Sequence, residues 1–315
     1  MARGYRDALI GALVILSVSG ASFAGQAWIT VQAANQVVVI DTVAAEIVAR
    51  VDVADGPVGV ATGSDRVYVT HPERGRLSVI DRRDRTLEEL WEIGGEPFGV
   101  ALSESAGRVF VTDWAGNCVD IYAADSGERL DRVAVGKAPA GVAATPDGAT
   151  VLTADRESDR VSIIDARAGR VVAAVDVGRA PFAVLIGPEG RRAYVANVRS
   201  DTVSVIDIPR RMTVAAIATG LFPYGLAMAD EGRTLLVTEQ RAGRLARFDT
   251  ASGRRLGEIE VGAQPDGVAV DAASHRAVVA NWFDDTVSII DLVDGGEQAV
   301  LKVGRGPRGF GRFIH

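Results

Sequence analysis

Seven prolines recur along this chain at an almost constant interval: Pro57, Pro97, Pro139, Pro181, Pro223, Pro265 and Pro307, 40 residues apart once and 42 apart five times. A second series keeps step with them, Asp41, Asp81, Asp165, Asp207, Asp249 and Asp291, with Ala123 on the one vacant rung. A fixed period near 40 residues, with strand-like runs inside each unit, is the pattern of a β-propeller in which each repeat is one blade. The expected fold class is all-β: a seven-bladed β-propeller of four-stranded antiparallel blades.

The unit opening at Pro181 shows the plan. Pro181 to Ile186 reads as a short buried strand, and Gly187-Pro188-Glu189-Gly190 supplies turn chemistry after it. Ala193 to Asn197, Thr202 to Asp207 and Thr213 to Ala218 follow as β-branched runs suited to a pleated, half-buried surface. The single 40-residue interval is a two-residue deletion in the turn at Thr62-Gly63-Ser64-Asp65, a place where length changes leave strand register intact. Both chain ends are incomplete units. Trp28 to Val53 supplies strands two to four without a first, and Gly306 to Ile314 supplies a first strand alone. Joined as one composite blade, they close the ring and remove the open sheet edges that template aggregation.

The first 24 residues stand apart. Arg3 and Arg6 precede an apolar run from Ala8 to Gly20, and Ser22-Phe23-Ala24 forms a small-residue cleavage site before Gly25, the layout of a secretory signal peptide. That run is shorter than the roughly 20 apolar residues a membrane-spanning helix needs. The expected organisation is a signal peptide at 1–24 and one propeller domain at 25–315, periplasmic or secreted, monomeric and without a membrane span. Without Arg3, Arg6 and Asp7, 32 Lys and Arg stand against 40 Asp and Glu, so the domain repels polyanions at long range. Cys118 is the single cysteine, which excludes an intramolecular disulfide and leaves stability to packing and ring closure.

Tyr194-Val195-Ala196-Asn197, Tyr68-Val69-Thr70-His71, the run Ser200 to Asp207 and the repeated Val-Gly-x-x-Pro-x-Gly joint resemble YVTN-type β-propeller repeats. The resemblance covers essentially all of residues 25–315, and its nearest shape is that of the YncE-like exported propellers of bacteria. It implies a fold and a compartment. The wider superfamily includes haem-carrying, quinoprotein-associated, lactonase and surface-layer propellers, so it implies no single reaction.

Residues shared by every unit build the scaffold, so function is sought where the units differ. The Asp series is expected to cap backbone turns, and Trp28, Tyr68, Phe110 and Tyr194 to pack between blades. The loop between strands two and three opens on the same face as the joint before strand one. Its first position reads Val31, His71, Asp113, Asp155, Asn197, Glu239 and Asn281 around the ring, and its second reads Gln32, Pro72, Trp114, Arg156, Val198, Gln240 and Trp282. Asn and Asp at the first position suit a structural role, satisfying local amides. Trp114, Trp282 and Phe283, with Phe98, Phe182 and Tyr224 after their prolines, are candidate apolar anchors of a recognition surface. Arg156, Arg199, Arg241 and Arg308 are the candidates to orient a polar or anionic partner, and His71 and Glu239 complete the candidate binding set.

Three histidines without ligand spacing (His71, His275 and His315) disfavour zinc, and no Cys-x-x-Cys-His is present to attach a c-type haem. Asp113, Asp155 and Glu239 stand as an alternative oxygen set for a hard cation. No metal or cofactor is expected. The function these residues favour is a ligand- or protein-binding scaffold, its partner an unidentified periplasmic protein or a small polar or anionic molecule. Two alternatives remain. One is a lactonase-type hydrolase or lyase using His71, Glu157 or Glu239 with Arg199 or Arg241. The other is a single-strand nucleic-acid binder stacking bases on Trp114, Trp282 and Phe283, which the acidic balance disfavours.

Overall fold

Proline opens six of the seven inner strands, where its missing N–H is not needed by the ladder, and Pro57 lies three residues before the seventh. The computed structural model describes residues 25–315, and the expected signal peptide lies outside the described residues. Seven four-stranded antiparallel sheets succeed one another around a ring. The Pro181 blade, for example, comprises Pro181–Ile186, Arg192–Asn197, Thr202–Asp207 and Met212–Ala218. Helical structure among the described residues is confined to 3-10 turns, and no helix is long and apolar enough to cross a membrane.

In the blades opening at Pro97, Pro139, Pro181, Pro223 and Pro265, the proline pairs with the last residue of strand two. The ladder then resumes three residues later opposite a residue only two positions back, as in Pro97 with Asp113 and then Val100 with Val111. The residue pair after each proline is therefore a β-bulge, which re-aims a side chain and bends the strand. The residues that follow the prolines, Val58, Phe98, Ala140, Phe182 and Tyr224, meet Phe310 in one apolar cluster on the ring axis. The second residue after the proline is glycine in every blade but one, because inner strands touch backbone to backbone there. A Cβ on Gly99 would lie 2.3 Å from the Ala140 carbonyl oxygen, and one on Gly267 only 1.7 Å from that of Gly309. Threonine hydroxyls tie the inner strands together. Thr30, Thr70, Thr112 and Thr238 donate to the carbonyls of Val58, Phe98, Ala140 and Asp266 at 3.0, 2.6, 2.9 and 2.8 Å.

The Asp series does cap turns. Asp165 Oδ1 accepts the amides of Arg167 and Ala168, and Asp41, Asp81, Asp207, Asp249 and Asp291 accept equivalent amides in their own blades. Trp28, Tyr68, Phe110 and Tyr194 are buried between blades. The short interval reflects a short turn, with the Gly63 amide donating to the Arg66 carbonyl at 2.8 Å after a three-residue strand, Val60–Thr62.

The composite blade forms, with strand order Pro307–Arg308, Gln26–Val31, Gln36–Asp41 and Glu46–Asp52. Its first strand departs from the repeat. Only Pro307 and Arg308 pair regularly, with Val31 and Thr30, and contact returns where Ile314 bridges Ala27. The excursion between sends Phe310 to the ring axis and buries Phe313 completely. It also crosses to the next blade, since the amides of Val60 and Thr62 donate to the carbonyls of Phe310 and Arg312 at 2.9 and 2.8 Å.

Candidate functional site

One backbone hydrogen bond builds the loop face. The amide at the second loop position donates to the carbonyl of the residue before the proline that opens the same blade: Trp114 to Glu96, Val198 to Ala180, Gln240 to Phe222 and Trp282 to Gln264, at 3.0–3.1 Å. The joint residues Ala138, Ala180, Phe222 and Gln264 hold positive φ, between 50° and 65°, a conformation costly for side chains with a Cβ. Loop side chains pin three of them. Asn117, Asp159 and Asp201 accept the amides of Ala138, Ala180 and Phe222 at 2.8, 2.8 and 2.9 Å. Loop and joint thus form one rigid rim.

Beneath that rim, the first loop position is buried in all seven blades. His71 sits with Nε2 at 2.8 Å from the Ser78 hydroxyl and Nδ1 at 3.2 Å from the Asp55 carbonyl, and burial lowers its pKa to about 4. Glu239 accepts the Gly220 amide at 2.6 Å and is paired with the Arg255 guanidinium. Asp155 accepts hydrogen bonds from Gly136, Thr153 and Ser162, and Asp113 from the amides of Glu96 and Gly116. Asp113, Asp155 and Glu239, the alternative oxygen set for a cation, are each engaged within their own blade or joint. Among the described residues, Asp113, Cys118 and Asp120 do converge, and Arg132 occupies that cluster with Nε 2.7 Å from Asp120. The sequence carries a signal for this buried layer: His71, Asp155, Asn197 and Asn281 each have a serine seven residues on, and each is hydrogen-bonded to it.

Above the layer, four of the predicted anchors come together. Phe98 packs on Trp114, Phe182 and Phe310 at centroid separations of 5.1, 5.8 and 5.2 Å, and Phe182 lies 4.2 Å from Tyr224. Trp114, Arg156, Phe182, Val198, Phe222, Tyr224 and Gln240 wall a cavity of about 360 Å³ over this floor. A second cavity of about 590 Å³ shares Phe222 and Gln240 and continues outward past Arg241, Ala242, Gly243, Ala263 and Gln264. The guanidinium of Arg156 lies over Trp114 at 5.7 Å, and that of Arg241 over Phe222 at 4.7 Å.

The other side of the axis is polar. Arg308 Nε lies 3.9 Å from Asp266 Oδ2, with Asp266 only 1% exposed. Burial raises the Asp266 pKa against the opposing pull of Arg308 and the Gly309 amide. Burial also raises that of Tyr224, at the boundary between the two halves. Trp282 stands away from the aromatic cavity, its indole nitrogen over Gly306, while Phe283 is 66% exposed at its loop tip. Arg199 is exposed and outside both cavities. Sequence reasoning passed over Phe222 and Phe310. Phe222 is the one aromatic at a joint position otherwise held by Gly56, Glu96, Ala138, Ala180, Gln264 and Gly306, and Phe310 stands where the other blades have Val or Leu.

No family model matches the chain, and no curated protein does. Among solved structures it is similar to a chain of Kuenenia stuttgartiensis hydrazine synthase, with a TM-score of 0.75 and 19% identity over 89% of this chain and 99% of that one. It is also similar to a functionally unknown protein from Desulfotomaculum acetoxidans DSM 771, with a TM-score of 0.79 and 15% identity over 90% and 98% of the two chains. At such identities the likeness is one of fold, and the fold is that of a seven-bladed β-propeller.

Proposed function

We propose that this chain is an exported recognition propeller of the YVTN-repeat, YncE-like type, binding a ligand or protein partner at the aromatic mouth of its axis. The observation that carries this reading is the open cavity of about 360 Å³ walled by Trp114, Phe182, Phe222 and Tyr224. Concave sites of this size, largely apolar with a few placed polar groups, are where ligands bind. Export is supported by the Arg3 to Ala24 pattern. Binding is favoured over hydrolysis because His71 and Glu239 have their polar atoms engaged below the rim, away from the cavity wall. Native mass spectrometry of the protein recovered from its own periplasm tests the reading. An added mass or partner complex is expected in the wild type, lost or at least about ten-fold weaker in Trp114→Ala and Phe182→Ala variants of unchanged fold. Retention in both variants would remove the mouth as the site.

A further inference from the structure

The four arginines on this face are not equivalent. Arg156 is ion-paired with Glu157, and Arg308 faces Asp266 at 3.9 Å. Arg199 is exposed and lines neither cavity. Arg241 alone both lines the groove and meets no carboxylate among the described residues. Its guanidinium lies 4.7 Å over Phe222, a ring held by the amide of Phe222 donating to Asp201 and the amide of Gln240 donating to the Phe222 carbonyl. A guanidinium resting on an aromatic ring keeps N–H donors at its edge for an oxyanion.

The two cavities meet at Phe222 and Gln240, so this cation stands at one end of a groove whose other end is the aromatic floor. No carboxylate lines either cavity. In a chain with net charge −7, that is a local selection for negative charge. We infer that the groove takes small organic anions with a flat apolar body, the oxyanion held by Arg241 and the body lying against Phe182, Tyr224 and Trp114. This deepens, and rests on, the reading of the channel mouth as a binding site.

Calorimetric titration with 2-naphthoate and its neutral isostere 2-naphthalenemethanol tests the assignment on the full chain. The wild type should bind the carboxylate at least about ten-fold more tightly than the alcohol, the scale of one charge-assisted hydrogen-bonded contact. Arg241→Gln should abolish that preference, weakening binding of the carboxylate at least about ten-fold more than that of the alcohol. Arg210→Gln, which removes an exposed charge paired with Asp207 in a strand-three turn, controls for net charge and should leave the preference intact. Equal binding of both probes to the wild type, binding of neither, or a preference that survives Arg241→Gln would each overturn the inference. The mouth reading fails separately, when Trp114→Ala and Phe182→Ala leave the native partner bound.

Discussion

The six continuous blades and the composite blade meet the same packing demand by different means. In five of the continuous blades the inner strand is a proline, a bulge and a ladder, and in the Pro57 blade it is a three-residue ladder. In the composite blade the inner strand has two ladder pairs and then an excursion that lends backbone hydrogen bonds to the neighbouring Pro57 blade. That excursion also supplies Phe310 to the aromatic floor, while Arg308 supplies the counter-charge of Asp266. The closing segment and the channel mouth are therefore built from the same residues. Equivalent blades should tolerate exchange of equivalent residues, and the composite blade should not.

The largest test of that contrast removes the closing segment. Deleting residues 306–315 takes away the buried Phe310, Phe313 and Ile314, and leaves Asp266 without Arg308. Truncating one buried aromatic costs about 3–5 kcal/mol, and an unpaired buried charge costs a comparable amount. The melting temperature should fall by more than about 10 °C, given roughly 2–4 °C per kcal/mol for domains approaching this size. Scanning calorimetry reads it directly. An unchanged melting temperature would refute closure by the chain ends.

The same contrast explains what the sequence disclosed. Proline and aspartate spacing, strand content, turn caps and closing ends were all legible, because a repeat offers six or seven readings of each position. Phe98, Phe182 and Tyr224 were legible as divergent residues next to invariant prolines. The burial of His71 is written only in the serine seven residues on, which it shares with Asp155, Asn197 and Asn281, and that of Glu239 is not written locally at all, because its partner Arg255 lies in the fourth strand. Phe310 was hidden for the opposite reason. Its segment bridges two blades, so the equivalence with Val60 or Val100 that the spacing implies does not hold in space.

A middle-sized effect probes exchange between equivalent blades. His71 in the Pro57 blade holds Ser78, just as Asn197 and Asn281 hold Ser204 and Ser288. His71→Asn should therefore fold with near wild-type stability at pH 7. The two proteins should part in acid. Burial keeps the folded His71 ring neutral down to about pH 4, whereas a free imidazole takes up its proton near 6.5. Between those values the unfolded chain binds more protons, so the wild type loses stability as pH falls through the window. At about 1.4 kcal/mol per pH unit, the wild type should lose about 2–3 kcal/mol more than the variant between pH 7 and 4.5. Urea titrations at both values measure it, and parallel pH profiles would show that this histidine does not report its burial.

The smallest effect restores the one broken rung. Ala123 occupies the position of the capping aspartates, and its hairpin matches that of the Pro223 blade bond for bond. Ala123 N donates to the Glu128 carbonyl as Asp249 N does to that of Arg254, and Gly127 N returns to Ala123 as Gly253 N does to Asp249. Gly127 and Gly253 share a left-handed φ of 68° and 71°. Ser126 and Ser252 each accept the amide two residues on at 3.4 Å. What the Pro97 blade lacks is the carboxylate that accepts the Ser252 amide at 2.8 Å in the Pro223 blade. Ala123→Asp should supply that acceptor to the Ser126 amide without moving the backbone, since local side-chain to backbone bonds of this kind set turn stability. A rise of about 1–3 °C in melting temperature is expected, the scale of one exposed turn interaction in a domain of this size. A fall would mean that matching hydrogen-bond geometry does not make these turns equivalent, and that the blades diverge even where their backbones coincide.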